Sequence, residues 1–128
     1  MTSFIAFNKV STLDAADDLR VNPAAVLYVE ASRPDLIGHT TIHLLGQGTA
    51  VNAVDETIGN VVASLAGLVA AKRHYLAAPP PEGASTVYIS PRNVSYARPN
   101  VAASPDFWVL RFVDGSELRV LDPLPRDL

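Results

Sequence analysis

Two proline breaks, Asn22-Pro23 and Ser90-Pro91, stand 68 residues apart, and their surroundings match in order. Leu19-Arg20-Val21-Asn22-Pro23 aligns with Val87-Tyr88-Ile89-Ser90-Pro91. Val26 then meets Val94, Tyr28 meets Tyr96, and Ile42 and Leu44 meet Leu110 and Phe112, without a gap. Proline cannot donate to a strand ladder and pushes the residue before it out of the helical region. Each copy therefore reads as strand, break, strand ending near Tyr, loop, alternating strand, glycine turn, strand. The last strand is out of phase by one residue, Val51 and Ala53 against Leu118 and Val120, as a one-residue difference in the turn would produce.

Strands are expected at Phe4–Thr12, Leu19–Asn22, Val26–Ala31, His39–Leu45 and Thr49–Val54. From Asp55 to Leu76 the period changes. Ile58, Val62, Leu65, Val69 and Leu76 fall on one helical stripe, with Asp55 and Glu56 at the start and Lys72, Arg73 and His74 near the end, as a helix dipole favours. Pro79-Pro80-Pro81 then stiffens a linker. Thr86–Ser90, Val94–Ala97, Phe107–Val113 and Glu117–Leu121 read as strands, and Asp114-Gly115 is a hairpin turn. The expected fold is α+β and mostly β: two antiparallel β-meander repeats packed around one long apolar helix. Its parts are a meander plus helix over 1–76, a Pro-rich linker over 77–85 and a second meander over 86–128. The second copy has no helix because the chain stops at Leu128.

The first copy resembles the FlbD family of small flagellar and swarming-motility proteins over residues 4–69. The matching residues are Phe4-Ile5, Val10, Val21-Asn22-Pro23, Val26, Tyr28-Val29-Glu30, Thr41-Ile42-His43-Leu44, Gly48, Val54-Asp55-Glu56-Thr57, Val61-Val62 and Leu65. That resemblance implies a small β-meander plus helix without enzymatic chemistry. LytTR-type DNA-binding β-modules share a similar strand pattern, although they are more basic.

The helix carries little polarity between Thr57 and Ala71. Gly59, Ala63, Gly67 and Ala71 form a row of small residues at every fourth position. Such a row lets another backbone approach closely, and each interior glycine costs about 1 kcal/mol relative to alanine. The row therefore marks these four residues as candidates for an interface, either with the chain's own sheets or with a second copy in a homo-oligomer.

Composition narrows the function. Apolar residues make up 48% and charged residues 18%, which excludes a disordered chain. There is no cysteine, so thiolate metal sites, disulfides and Cys nucleophiles are impossible. No basic n-region with an apolar run opens the chain, and the longest weakly polar stretch, Ile58–Ala71, is too short to span a bilayer. A cytoplasmic protein without membrane contact is expected.

Catalytic signatures are missing. His39 and His43 are four apart on a strand, about 13 Å, so they cannot share one ion. Gly46-Gln47-Gly48 leads into a hairpin rather than a helix, and Asp14, Asp17 and Asp18 lack the glycine and distal Glu of a calcium loop. No enzyme activity, cofactor or metal is expected.

The net charge of -3 disfavours general nucleic-acid binding. From Thr86 onward, however, Arg92, Arg98, Arg111 and Arg119 lie on or near strands, with Arg111 and Arg119 facing outward, opposite Trp108 and Phe112. Tyr88 and Phe107 would offer stacking surfaces. Two functions are thus expected in order. The first is a non-catalytic oligomeric interaction module that binds a protein partner. The alternative is a single-stranded nucleic-acid-binding protein using Tyr88, Arg92, Arg111 and Arg119.

Overall fold

The computed structural model describes residues 4–8, 18–31, 40–46, 52–74 and 86–128. Asp14, Asp17, His39 and the whole of the expected linker over 77–85 lie outside these residues.

All described strands pair antiparallel. β1 (Ile5–Asn8) and β2 (Asp18–Val21) form a two-stranded hairpin. A 3₁₀ turn at Pro23–Ala25, capped by the Asn22 side chain on the Ala24 N–H, leads into β3 (Val26–Ala31). β4 (Thr40–Leu44), β5 (Asn52–Val54) and α1 (Ile58–Leu65) follow. Next come β6 (Val69–Lys72) and β7 (Thr86–Ile89). A second 3₁₀ turn at Pro91–Asn93 precedes β8 (Val94–Pro99), β9 (Phe107–Phe112) and β10 (Glu117–Leu121). The larger sheet runs β5-β4-β3-β7-β6, and a third sheet runs β10-β9-β8.

The five-stranded sheet lies between two cores, because alternate residues of its central strands point to opposite faces. Val29 and Ile42 bury one face with Phe7, Val21, Val61 and Leu65 from the hairpin and the helix. Tyr28, Val87 and Ile89 bury the other with Leu110, Phe112, Leu118 and Val120 from the three-stranded sheet. A register shift between Val26 and Tyr28 turns Val26 to the first core while Leu27 and Tyr28 both meet the second. Strict period-2 alternation would put Val26, Tyr28 and Glu30 on one face; the bulge separates Val26 from the other two.

The long helix is also corrected. α1 has 8 residues. Thr57 accepts from the Asn60 N–H at its start, and Val61 and Leu65 are its buried residues. It stops because Ala66 and Gly67 take φ of 54° and 72°, which no right-handed helix contains. Val69–Lys72 then pairs with β7, Val69 opposite Ile89 and Lys72 opposite Thr86. The sequence pattern of Val69-Ala70-Ala71-Lys72 suits either state, and the β7 ladder decides it. The row of small residues is consequently broken. Gly59 and Ala63 lie on the exposed side of α1, Gly67 lies beyond its end, and Ala71 is buried in a strand. A Cβ added at Gly59 would meet nothing within 4 Å, so among the described residues no backbone outside its own helix approaches it.

The two halves correspond in detail at the same offset of 68. The 3₁₀ turns Pro23–Ala25 and Pro91–Asn93 are equivalent. β3 shifts register between Val26 and Tyr28, and β8 between Val94 and Tyr96. The Leu45 N–H donates to the Ala25 carbonyl, and the Val113 N–H donates to the Asn93 carbonyl. The hairpin β6–β7 takes the place that β1–β2 has in the first half, packing on the inner face of β8–β10. β7, however, also joins the larger sheet beside β3, Val29 opposite Tyr88. β6 and β7, the strands on either side of residues 77–85, are neighbours in that sheet.

Candidate nucleic-acid interface

The outer face of β8–β10 has no layer over it among the described residues. Its inner face points Leu110, Phe112, Leu118 and Val120 into the core. Strand register then fixes what faces outward. Tyr96, Arg111 and Glu117 make one cross-strand row, and Arg98, Val109 and Arg119 make the next. Strands lie about 4.8 Å apart, so Arg98 and Arg119 flank Val109 with backbones about 10 Å from each other. Three guanidinium groups and one carboxylate thus share one surface.

These side chains are pre-oriented. The Arg111 Nε donates to the Tyr96 hydroxyl at 3.3 Å, and its Nη1 donates to the Gly115 carbonyl at 2.9 Å. The hydroxyl of Tyr96, then the charge of Glu117, hold the Arg111 pKa above its ordinary value. The Arg119 guanidinium sits 5.4 Å from the centre of the Phe107 ring. His74 stacks on the same ring at 4.2 Å. Phe107 is accordingly occupied and offers no free stacking surface. Tyr96, at 44% exposure, does.

The corresponding face of the first half shows what is special here. At equivalent positions it carries Tyr28, Glu30 and His43 in place of Tyr96, Arg98 and Arg111. That face is covered: Tyr28 stacks against His43 at 4.1 Å and Phe112 at 5.7 Å. Glu30 accepts from His43 Nε2 at 2.8 Å and Arg73 Nη1 at 2.6 Å. Where the first half has an acid engaged with the layer above, the second has an arginine facing outward.

Of the four residues expected at a nucleic-acid site, Arg111 and Arg119 share this face. Arg92 is exposed on the 3₁₀ turn instead, and Tyr88 is half-buried against the helix-side core. Arg98 and Tyr96 complete the face. Their pairing rows were hidden in the sequence by the bulge at Ser95. Among the described residues no group of three or more His, Asp or Glu is placed to hold a metal ion. No described helix is long and apolar enough to cross a membrane.

No family model matches this chain, and no curated protein matches it. Among solved structures it is similar to the LytTr DNA-binding domain of a protein described as a methyl-accepting/DNA response regulator from Bacillus cereus. The TM-score is 0.56 at 12% identity, with 94% of this chain and 88% of that chain covered. The fold resembles a LytTr DNA-binding domain. The reading as an oligomeric module for a protein partner is corrected by this likeness, because the similar fold belongs to a DNA-binding domain. The FlbD-type resemblance of residues 4–69 found no counterpart in these comparisons.

Proposed function

We propose that this chain binds nucleic acid on the outer face of β8–β10, through Arg98, Arg111 and Arg119, with Tyr96 as a stacking platform. One observation carries the reading: an uncovered sheet face gathers three arginines on a fold similar to a DNA-binding domain. The net charge of -3 belongs to the whole molecule, whereas among the described residues this face holds three arginines against Glu117. Phosphate contacts are local, and the Debye length near 10 Å at about 0.1 M salt screens the more distant acids.

Geometry favours a single strand. The major groove, about 12 Å wide, admits a helix or a two-stranded ribbon. A three-stranded face with side chains on both edges is broader than that. The two-stranded tip of β9–β10 is tied to the chain after β4, the Gly46 N–H donating to Asp114 Oδ2 at 3.0 Å, so it does not project as a free ribbon. An extended strand laid across the sheet meets the arginine rows with its phosphates and Tyr96 with a base. We also infer that the two halves are copies of one unit, supported by their constant offset in turns and bulges.

The test is binding of a short labelled oligonucleotide, single- and double-stranded, at several salt concentrations. Three arginines offset by one carboxylate act as about two net phosphate contacts to a single strand, a slope of log affinity on log salt near about -1.4. Arg119→Ala should lower affinity and flatten the slope by about 0.7. Binding that is absent at low salt, or that ignores Arg119→Ala and Arg98→Ala alike, would refute the reading.

A further inference from the structure

Among the described residues Glu117 is the one anion in the arginine rows, and its placement is specific. It lies directly opposite Arg111 in the β9–β10 ladder. A single oxygen, Oε2, stands 3.6 Å from Arg111 Nη2 and 3.9 Å from Arg98 Nη2. That oxygen sits between two guanidinium groups from different strands, where a non-bridging phosphate oxygen would be held.

Both distances exceed the range of about 2.7–2.9 Å that a charge-assisted hydrogen bond takes. The carboxylate is therefore near the arginines without being locked to them. Its side chain is 42% exposed, so leaving is not opposed by burial. Arg111, by contrast, is held by Tyr96 and Gly115 independently of Glu117. When the carboxylate swings away, the guanidinium keeps its place and presents the freed Nη2.

We propose that Glu117 is a resident stand-in for a nucleic-acid phosphate, which must be displaced before Arg98 and Arg111 engage the ligand. This rests on the nucleic-acid reading above and deepens it: Glu117 sets the affinity and the salt sensitivity of the site. In the free protein it neutralises part of the arginine charge. In the complex it stands beside the incoming backbone as a like charge. Both effects weaken binding and keep it reversible.

The experiment compares the full chain with Glu117→Gln, which keeps shape and removes charge. Binding of a single-stranded DNA oligonucleotide is measured at four salt concentrations, with thermal melting as a control for folding. The expected result is an affinity about three- to tenfold higher at low salt, with a slope steeper by about 0.7, the one phosphate contact that Glu117 offsets. The double change Glu117→Gln with Arg111→Ala should return the slope to near the wild-type value. That response identifies an effect passed through the arginine, which a change in fold alone would not produce. If the wild type binds and weakens on Arg119→Ala but Glu117→Gln leaves affinity and slope unchanged, or lowers affinity, the role of Glu117 is overturned while the interface stands. If neither wild type nor Glu117→Gln binds at the lowest salt, the interface itself falls, and this inference with it.

Discussion

Replacing Glu30 by Gln tests how the two halves are held together. Glu30 lies on β3, its side chain 14% exposed, and it receives hydrogen bonds from His43 of β4 and Arg73 just after β6. Arg73 also bridges in antiparallel fashion to Val120 of the second half, so the carboxylate anchors a residue that touches both sheets. Gln keeps the shape but gives up the charge. A hydrogen bond to a charged partner contributes about 1.5–3 kcal/mol, and removing one partner of a buried pair costs more than a surface pair because the other is left uncompensated. Partial exposure lowers the figure, so a loss of about 2–3 kcal/mol is expected, or roughly 5–12 °C in Tm for a domain of this size. Burial pushes the Glu30 carboxyl up. The hydrogen bonds of His43 and Arg73, with their charges, more than offset this and hold it below its ordinary 4.5. A depressed carboxylate contributes stability that is fully present above its unfolded value and is lost as pH falls through the folded one. The gap between wild type and Glu30→Gln should therefore be constant near neutral pH and shrink below about pH 4.5. Urea unfolding across this range measures it. A gap below about 0.5 kcal/mol at pH 7, or one that widens in acid, would refute the argument.

Further outcomes follow from single positions. Gly59→Ala should stabilise by up to about 1 kcal/mol, because the site is exposed in the first turn of α1 with open space for a Cβ. Gly67→Ala should destabilise by about 1 kcal/mol, because φ there is 72°; thermal melts of the pair must give opposite signs. Asn93→Ala should cost about 2 kcal/mol in chemical unfolding, since its buried amide donates to the carbonyls of Ala24 and Val26 and the change leaves both acceptors unpaired.

Where the sequence carried a local signal, it was legible. β3, β8, β9 and β10 alternate or follow a proline break, and their boundaries read within a residue or two. So did the outward direction of Arg111 and Arg119, which follows from period 2 alone. The helix misled because Val62, Leu65 and Val69 keep helical spacing across the point where the chain turns. Only the conformations of Ala66 and Gly67 and the partner strand β7 end it, and the partner is non-local. Tyr88 misled because the central sheet is covered on both faces, so an inward and an outward residue on β7 look alike. Arg98 and Tyr96 were obscured by a bulge, which shifts faces without changing composition. Glu117 was visible as a neighbour of Arg111, but its sharing of one oxygen between two strands needed the register of all three.

The position of β7 between β3 and β6 governs how this chain can fold. Val29 and Tyr88, which face each other in the central ladder, are 59 residues apart. The edge of β3 thus waits, unpaired, until most of the chain has been synthesised, and an unpaired apolar edge is where strands from other molecules add. Non-local pairing of this kind belongs to folding in milliseconds to seconds rather than microseconds. The dependence is one-sided: the buried residues of the helix-side core all lie between Phe7 and Leu65, whereas the second core needs Leu27 and Tyr28 of β3 and closes only on a first half already in place.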